Sequence, residues 1–217
     1  MKNLIIVSAA CLALVGCTGT KEAQKEDAPL KRITQVDFSH VKIEDGFWSP
    51  RLSKHTTATL PVCIDQIENQ TGRIRNFENA AKGGEHSGIF FDDSDVYKAL
   101  EGIAYSLINN PNPELEKKAD EWIDKMAAAQ QPDGYINTYY TLTGLDKRWT
   151  NMDKHEMYCA GHMMEAAVAY YQATGKRKLL DVSIRMAAAE ERGIHIVREP
   201  DVLKLGLRLG NMYAGFS

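Results

Sequence analysis

The run from Asp153 to Thr174 reads DKHEMYCAGHMMEAAVAYYQAT and is followed at once by Gly175. It holds no proline and one glycine, and alanine and methionine recur along it. That composition favours a helix of about six turns, with Gly175 as its stop. His155, Tyr158, Cys159 and His162 fall at i, i+3, i+4 and i+7 and so share a face. Met157, Ala160, Met164, Ala167 and Tyr171 line up as a second stripe, the expected packing face. Polar groups on a helix otherwise made for burial need partners, because each one left unsatisfied costs a few kcal/mol. A sugar or a metal in a central cavity would supply them. So would a hydrogen-bonded network between helices, with Cys159 as a small buried hydrophobe.

The same period governs the chain on either side. Leu60, Cys63, Ile64 and Ile67 predict a helix that Gly72 ends. Val96, Leu100, Ile103 and Leu107 predict another, capped by Ser94 or Asp93 and broken by Asn109-Asn110-Pro111-Asn112-Pro113. Pro113 opens a third, with Leu115, Ala119, Trp122, Ile123 and Met126 on one stripe. A last helix runs from Arg177 to the neighbourhood of Glu191, where Gly193 is expected to stop it. Residues 73–91 read as loop, Gln131-Pro132-Asp133-Gly134 as a turn, residues 135–150 as an aromatic loop, and Ile33 to Trp48 as extended chain.

A weak repeat runs through these helices. Leu100-Glu101-Gly102-Ile103 corresponds to Met164-Glu165-Ala166-Ala167 at an offset of 64, and Leu115 to Leu179 at the same offset. Met126-Ala127-Ala128-Ala129 recurs as Met186-Ala187-Ala188-Ala189 at 60. Each unit is a helical hairpin, and hairpins of this size stack side by side. The expected fold is all-α, with the hairpins either stacked into a solenoid or closed into an α/α toroid, and with a short extended N-terminal segment. A closed ring of six at ~60 residues each needs about 360 residues; this chain has 217.

Charge excludes one large class of function. Lys and Arg number 26 against 29 Asp and Glu, a net charge of −3 with no basic block, which argues against a nucleic-acid partner. Apolar residues at 44% and charged residues at 25% describe a globular chain. The N-terminus carries Lys2, an apolar run from Leu4 to Val15 too short to span a bilayer, and Leu14-Val15-Gly16-Cys17. It reads as a lipoprotein signal peptide over 1–16 with Cys17 lipidated; an ordinary secretory signal is the alternative. Residues 17–31 read as a polar tether. The expected location is the bacterial cell envelope, periplasmic or on the outer-membrane face, with the membrane met through a lipid anchor. Cys11 and Cys17 belong to the leader, so Cys63 and Cys159 are left as thiols and no disulfide framework is possible.

Several groups could carry chemistry. Asp92-Asp93-Ser94-Asp95 could set a carboxylate at a cavity mouth, where glycoside hydrolysis uses pairs, or could simply cap a helix. Trp149 and Tyr139 could stack on sugar rings or pack the loop. Arg73-Ile74-Arg75-Asn76-Phe77 reads as a solvated loop, or could aim a guanidinium at a hydroxylated ligand. His155 and Cys159 at i, i+4 resemble a zinc pair with its second histidine replaced.

The chain resembles glycoside hydrolase family 127, the β-L-arabinofuranosidase family, over its N-terminal part from Phe38 to Met186. The likeness rests on motifs in order. They are Asp45-Gly46-Phe47-Trp48-Ser49-Pro50-Arg51-Leu52, Gly72-Arg73-Ile74-Arg75-Asn76-Phe77, and Asp93-Ser94-Asp95-Val96-Tyr97-Lys98. Gln130-Gln131-Pro132-Asp133-Gly134-Tyr135-Ile136-Asn137-Thr138-Tyr139 follows, then His155-Glu156-Met157-Tyr158-Cys159-Ala160-Gly161-His162 and Ala173-Thr174-Gly175. The resemblance implies that the helical hairpins form a partial (α/α)6 toroid, and it implies release of β-linked L-arabinofuranose from plant glycans. It implies His155 as a substrate contact, with Asp95 and His162 beside it. It also implies a zinc-bound cysteine nucleophile and a glutamate acid/base, all beyond the matched span, so Cys159 and Glu156 are not those residues. No catalytic group and no metal is therefore expected on this chain, which alone is expected to be an inactive fragment. Residues 32–192 would form the N-terminal part of the hydrolase domain. Residues 193–217 would form a divergent tail, in which Leu203, Leu205, Leu207 and Leu209 alternate with period two. Two other readings remain. One is a noncatalytic surface glycan-binding lipoprotein; the other is a toroid hydrolase using Asp93 and Glu156 as its carboxylates.

Overall fold

The structure, a computed structural model, describes residue 36 and residues 38–196. The leader, the tether and positions 197–217 lie outside the described residues, so the lipid anchor and most of the alternating tail do too. Regular structure among the described residues is entirely helical. None of these helices is long and apolar enough to cross a membrane.

Helix starts at Trp48, well before the expected Leu60. Trp48–Lys54 (α1) leads through a π-turn at His55–Thr59 into Leu60–Asp65 (α2) and a second π-turn at Gln66–Gln70. Asp45 explains the early start. Its carboxylate accepts hydrogen bonds from the Phe47 and Trp48 N–H groups, donors that the first turn leaves over. The Trp48 N–H is the main reason that carboxyl titrates below its ordinary value. Arg51 then lies 3.6 Å over the Phe47 ring and donates to Phe47 O. The Asp45-to-Leu52 motif is thus a helix-starting device.

Residues 73–91 are not all loop. Arg73–Lys82 forms α3, because Ile74 and Phe77 at i, i+3 bury one edge of it. Asn76, polar yet buried, exchanges two hydrogen bonds with the backbone of Ser87 and pins the following loop. Gly72, at φ +64°, makes the corner before α3.

Two hairpins form the centre. Asp93–Asn109 (α4) and Pro113–Ala129 (α5) make the first; Asn112 caps α5 by accepting from the Glu114 and Leu115 N–H groups. The aromatic segment holds a short helix, Thr138–Thr143 (α6), where a loop was expected; Asn137 caps it. Glu156–Thr174 (α7) and Lys178–Ile196 (α8) make the second hairpin, turning at Gly175, φ +72°. Helix α4 packs on α7, and α5 packs on both α3 and α8, so repeat-related helices lie side by side. Trp122, Ile123, Met126, Leu100, Ile103, Met163, Leu179 and Met186 fill the seams. Each side chain buried this fully contributes about 1.5–3 kcal/mol.

Two details of the second hairpin differ from expectation. The buried stripe of α7 is Glu156, Cys159, Ala160, Met163, Ala166, Ala167 and Tyr170, which leaves Tyr171 exposed and turns Cys159 inward. The small side chains at 160, 166, 167 and 169 let α4 come close, and that approach, not the methionines, sets the buried side. Helix α8 runs through Gly193 instead of stopping there. A Cβ at that position would meet Cδ1 of Trp149 at 2.7 Å, so the glycine serves a close contact.

Gln130 to Tyr135 brace the hairpins together. Gln130 Nε2 donates to Gly134 O and to Val182 O on α8. Arg148 pairs with the Asp133 carboxylate at 2.7 Å, and Arg192 donates to Asp133 O.

Candidate functional site

The N-terminal ends of α4 and α7 come together with the segments that precede them. Ahead of α4, Ile89 N–H donates to Asp92 Oδ2 at 2.9 Å, and Phe90 and Phe91 project from the same turn. Ahead of α7, Lys154 ends a 3-10 turn, and His155 takes the left-handed conformation, φ +61°. His155 is therefore not the first residue of a helical face. It is the hinge into α7, and its ring sits 5.6 Å from Phe90, 5.3 Å from Phe91 and 5.6 Å from Tyr158. Its Nδ1 is 2.7 Å from Asp153 O. A carbonyl only accepts, so Nδ1 carries the proton, and in the neutral ring Nε2 remains to accept from a ligand.

Around this imidazole lies a set of rings and charges. Lys154 Nζ stands 4.3 Å over Phe90 and 5.4 Å over Tyr139; His86 meets Tyr139 edge-on at 5.3 Å. Lys98 donates to the Tyr158 hydroxyl at 2.6 Å and to Ser94 Oγ. Asp95 pairs with Arg73 at 2.9 Å and with Lys98 at 3.9 Å; Arg73 also holds Asp92 at 3.2 Å. Tyr158 passes the line of rings on to His162, 4.6 Å away. Burial, with the Lys98 charge adding to it, holds His162 below its ordinary value, while Glu165 pulls the other way.

Of the residues singled out from the sequence, His155, His162 and Asp95 fall on this surface, joined through Tyr158 and Lys98. Trp149 does not. Its ring lies edge-on to Tyr135 at 5.2 Å, and its backbone N–H donates to Glu156 Oε2 at 2.8 Å. Phe90, Lys154 and Lys98 carry no signal of their own in the sequence. The Arg73 guanidinium is neither solvated nor free for a ligand: it clamps two of the acids at the start of α4.

Asp93 and Glu156, the two carboxylates considered as acid and base, are both engaged in hydrogen bonds. Asp93 is buried and accepts from Thr138 N–H at 2.7 Å and Thr138 Oγ1 at 2.5 Å, tying α4 to α6 instead of capping its own helix. Burial pushes its carboxyl up to about 6, against the pull of those two bonds. Glu156, also buried, accepts from the Tyr135 hydroxyl at 2.6 Å and from Trp149 N–H. Burial raises it above the usual carboxylate range. Glu190 lies in the same interior, and burial, with the Glu156 charge adding to it, pushes it up to about 8.

A zinc ion held by Cys159 does not fit. The thiol is buried, its sulfur lies 3.7 Å from Phe91 O, and burial drives it well above its ordinary titration range. His155 is exposed while Cys159 is buried, so the i, i+4 pair is split between surface and core.

The described helices and the motifs along them match a known catalytic domain. Residues 40–196 fit the profile of the β-L-arabinofuranosidase, GH127 catalytic domain. The chain belongs to glycoside hydrolase family 127. It is 35% identical over 176 residues to the non-reducing end β-L-arabinofuranosidase of Bifidobacterium longum subsp. longum, covering 68% of this chain and 26% of that protein. Among solved structures, a family 127 β-L-arabinofuranosidase from Geobacillus stearothermophilus T6 superposes with a TM-score of 0.67 at 44% identity, covering 69% of this chain and 25% of that one. A second family 127 β-arabinofuranosidase gives 0.64 at 42% identity, with the same coverage. The chain thus spans about a quarter of the length of the family 127 proteins it matches. The likeness bears out an all-α fold of the α/α-toroid kind, built from hairpins.

Proposed function

We propose that the chain supplies one sugar-binding wall of a β-L-arabinofuranosidase-type glycoside hydrolase acting on arabinose-containing plant glycans. The observation that carries this is the imidazole of His155, held through Nδ1 by Asp153 O and faced by Phe90, Phe91 and Tyr158, with Nε2 left for a hydroxyl. A furanose offers C–H faces to rings and hydroxyls to charges, which suits Phe90, Tyr139, Lys154 and Asp95. His162 continues the wall beyond Tyr158. The nucleophile, the acid/base and the zinc of the whole enzyme are assigned to none of the described residues. Asp93 and Glu156 are poor candidates for acid and base, since both are buried with their oxygens already accepting.

Titration of the purified chain with methyl β-L-arabinofuranoside, followed by ligand-observed NMR, tests this. Binding that weakens roughly tenfold in His155→Ala, the loss of about one good hydrogen bond, is expected. Unchanged affinity in the variant would remove His155 from the wall. No hydrolysis of an aryl β-L-arabinofuranoside is expected from these 217 residues; turnover would overturn the noncatalytic assignment.

We also infer a lipid at Cys17 and residence in the bacterial cell envelope. Support comes from the apolar run Leu4 to Val15 and the Leu14-Val15-Gly16-Cys17 sequence. Labelled palmitate should enter the protein in cells and fail to enter Cys17→Ala; equal labelling of both would reject the anchor.

A further inference from the structure

We infer that Glu101, His162 and Glu165 form a divalent-cation site of the zinc type across the seam between α4 and α7. One ligand atom from each lies within 4.8 Å of the others, and no other such group occurs among the described residues. Donors that share one zinc ion in tetrahedral geometry sit ~3.3 Å apart. Two half-exposed glutamate stems, each with rotatable bonds, can close that gap. One imidazole nitrogen with two carboxylates suits zinc and its borderline neighbours better than magnesium or calcium, which favour oxygen alone.

The surroundings make a cation useful here. Glu101 and Glu165 occupy the same position in the two repeats, so stacking the hairpins brings like charges face to face. Nδ1 of His162 is sealed from solvent and stands 3.2 Å from Glu165 Oε2, in no aligned hydrogen bond. Lys98, whose charge bears on His162, is spent on Tyr158, Ser94 and Asp95. Tyr105 is the remaining polar group that faces Glu101. A dication would neutralise the pair and bolt the two hairpins together. The site contains no sulfur, and it does not depend on whether the chain grips arabinose.

The test is zinc binding by the purified chain. Metal content after gel filtration, the thermal midpoint with and without zinc, and the visible spectrum with cobalt are measured for wild type, Glu101→Gln, Glu165→Gln and His162→Gln. Expected are one equivalent of zinc, a raised midpoint and cobalt bands in the wild type. Each variant should bind at least ~tenfold more weakly while keeping the wild-type circular dichroism. Cys63→Ser, which removes the more accessible thiol, should bind as the wild type does. No zinc retained by the wild type, retention unchanged in Glu101→Gln and Glu165→Gln, or loss in Cys63→Ser would each overturn the assignment.

Discussion

Gly134→Ala should destabilise the chain by about 3 kcal/mol or more. Gly134 sits at φ +95°, and a Cβ there would come within 2.9 Å of the carbonyl carbon of Arg185 on α8. That neighbour is backbone inside a helix and cannot step aside. The turn would have to lift, taking with it the Gln130 bonds to Gly134 O and Val182 O. Gly175→Ala is the informative companion. Gly175 is also left-handed, at φ +72°, but nothing lies near its missing Cβ, so only the backbone cost of about 1–2 kcal/mol applies. Urea unfolding of both variants separates conformational strain from collision. Equal losses in the two would show that the contact with α8 carries no weight.

The second large effect depends on pH. Burial raises Glu190 from its ordinary 4.5 to about 8, so the folded chain holds a proton there that the unfolded chain has released. Stability from this residue is complete below about pH 4.5, falls as pH climbs towards 8, and is flat beyond. Glu190→Gln cannot ionise and escapes the fall. It should match the wild type near pH 5 and exceed it by a few kcal/mol near pH 8.5, read from urea midpoints. A difference that does not vary with pH would mean that Glu190 reaches water in the folded chain.

The hairpins were legible because their signal is local. Trp122, Ile123 and Met126 on α5, and Leu179 and Met186 on α8, recur at helical spacing and are buried. Helix α3 was hidden because only Ile74 and Phe77 mark it among charged neighbours, and its polar Asn76 is buried to hold a loop that the spacing does not announce. Gly193 was misread for a related reason. A glycine that ends a helix and one that admits a neighbouring indole look alike in one dimension. The same limit applies to the site. His155 could be singled out from the motif around it, yet Phe90 and Phe91 lie some 65 residues away in sequence, and only the packing of α4 on α7 brings them together. Tyr158 and His162 kept their face; Cys159 left it because α4 approaches from that side.

Trp149 and His155 both hold positive φ, 65° and 61°, at the two ends of the short stretch that delivers Lys154 and the imidazole. Such conformations cost an ordinary side chain on the order of 1–3 kcal/mol each, and Trp149 is further secured by its N–H bond to Glu156. A glycine at either end would relax this span, and would also let the imidazole wander among orientations that the present backbone forbids. Tension at the two anchor points therefore acts like a drawn bowstring: the aim of one nitrogen is settled by the backbone alone.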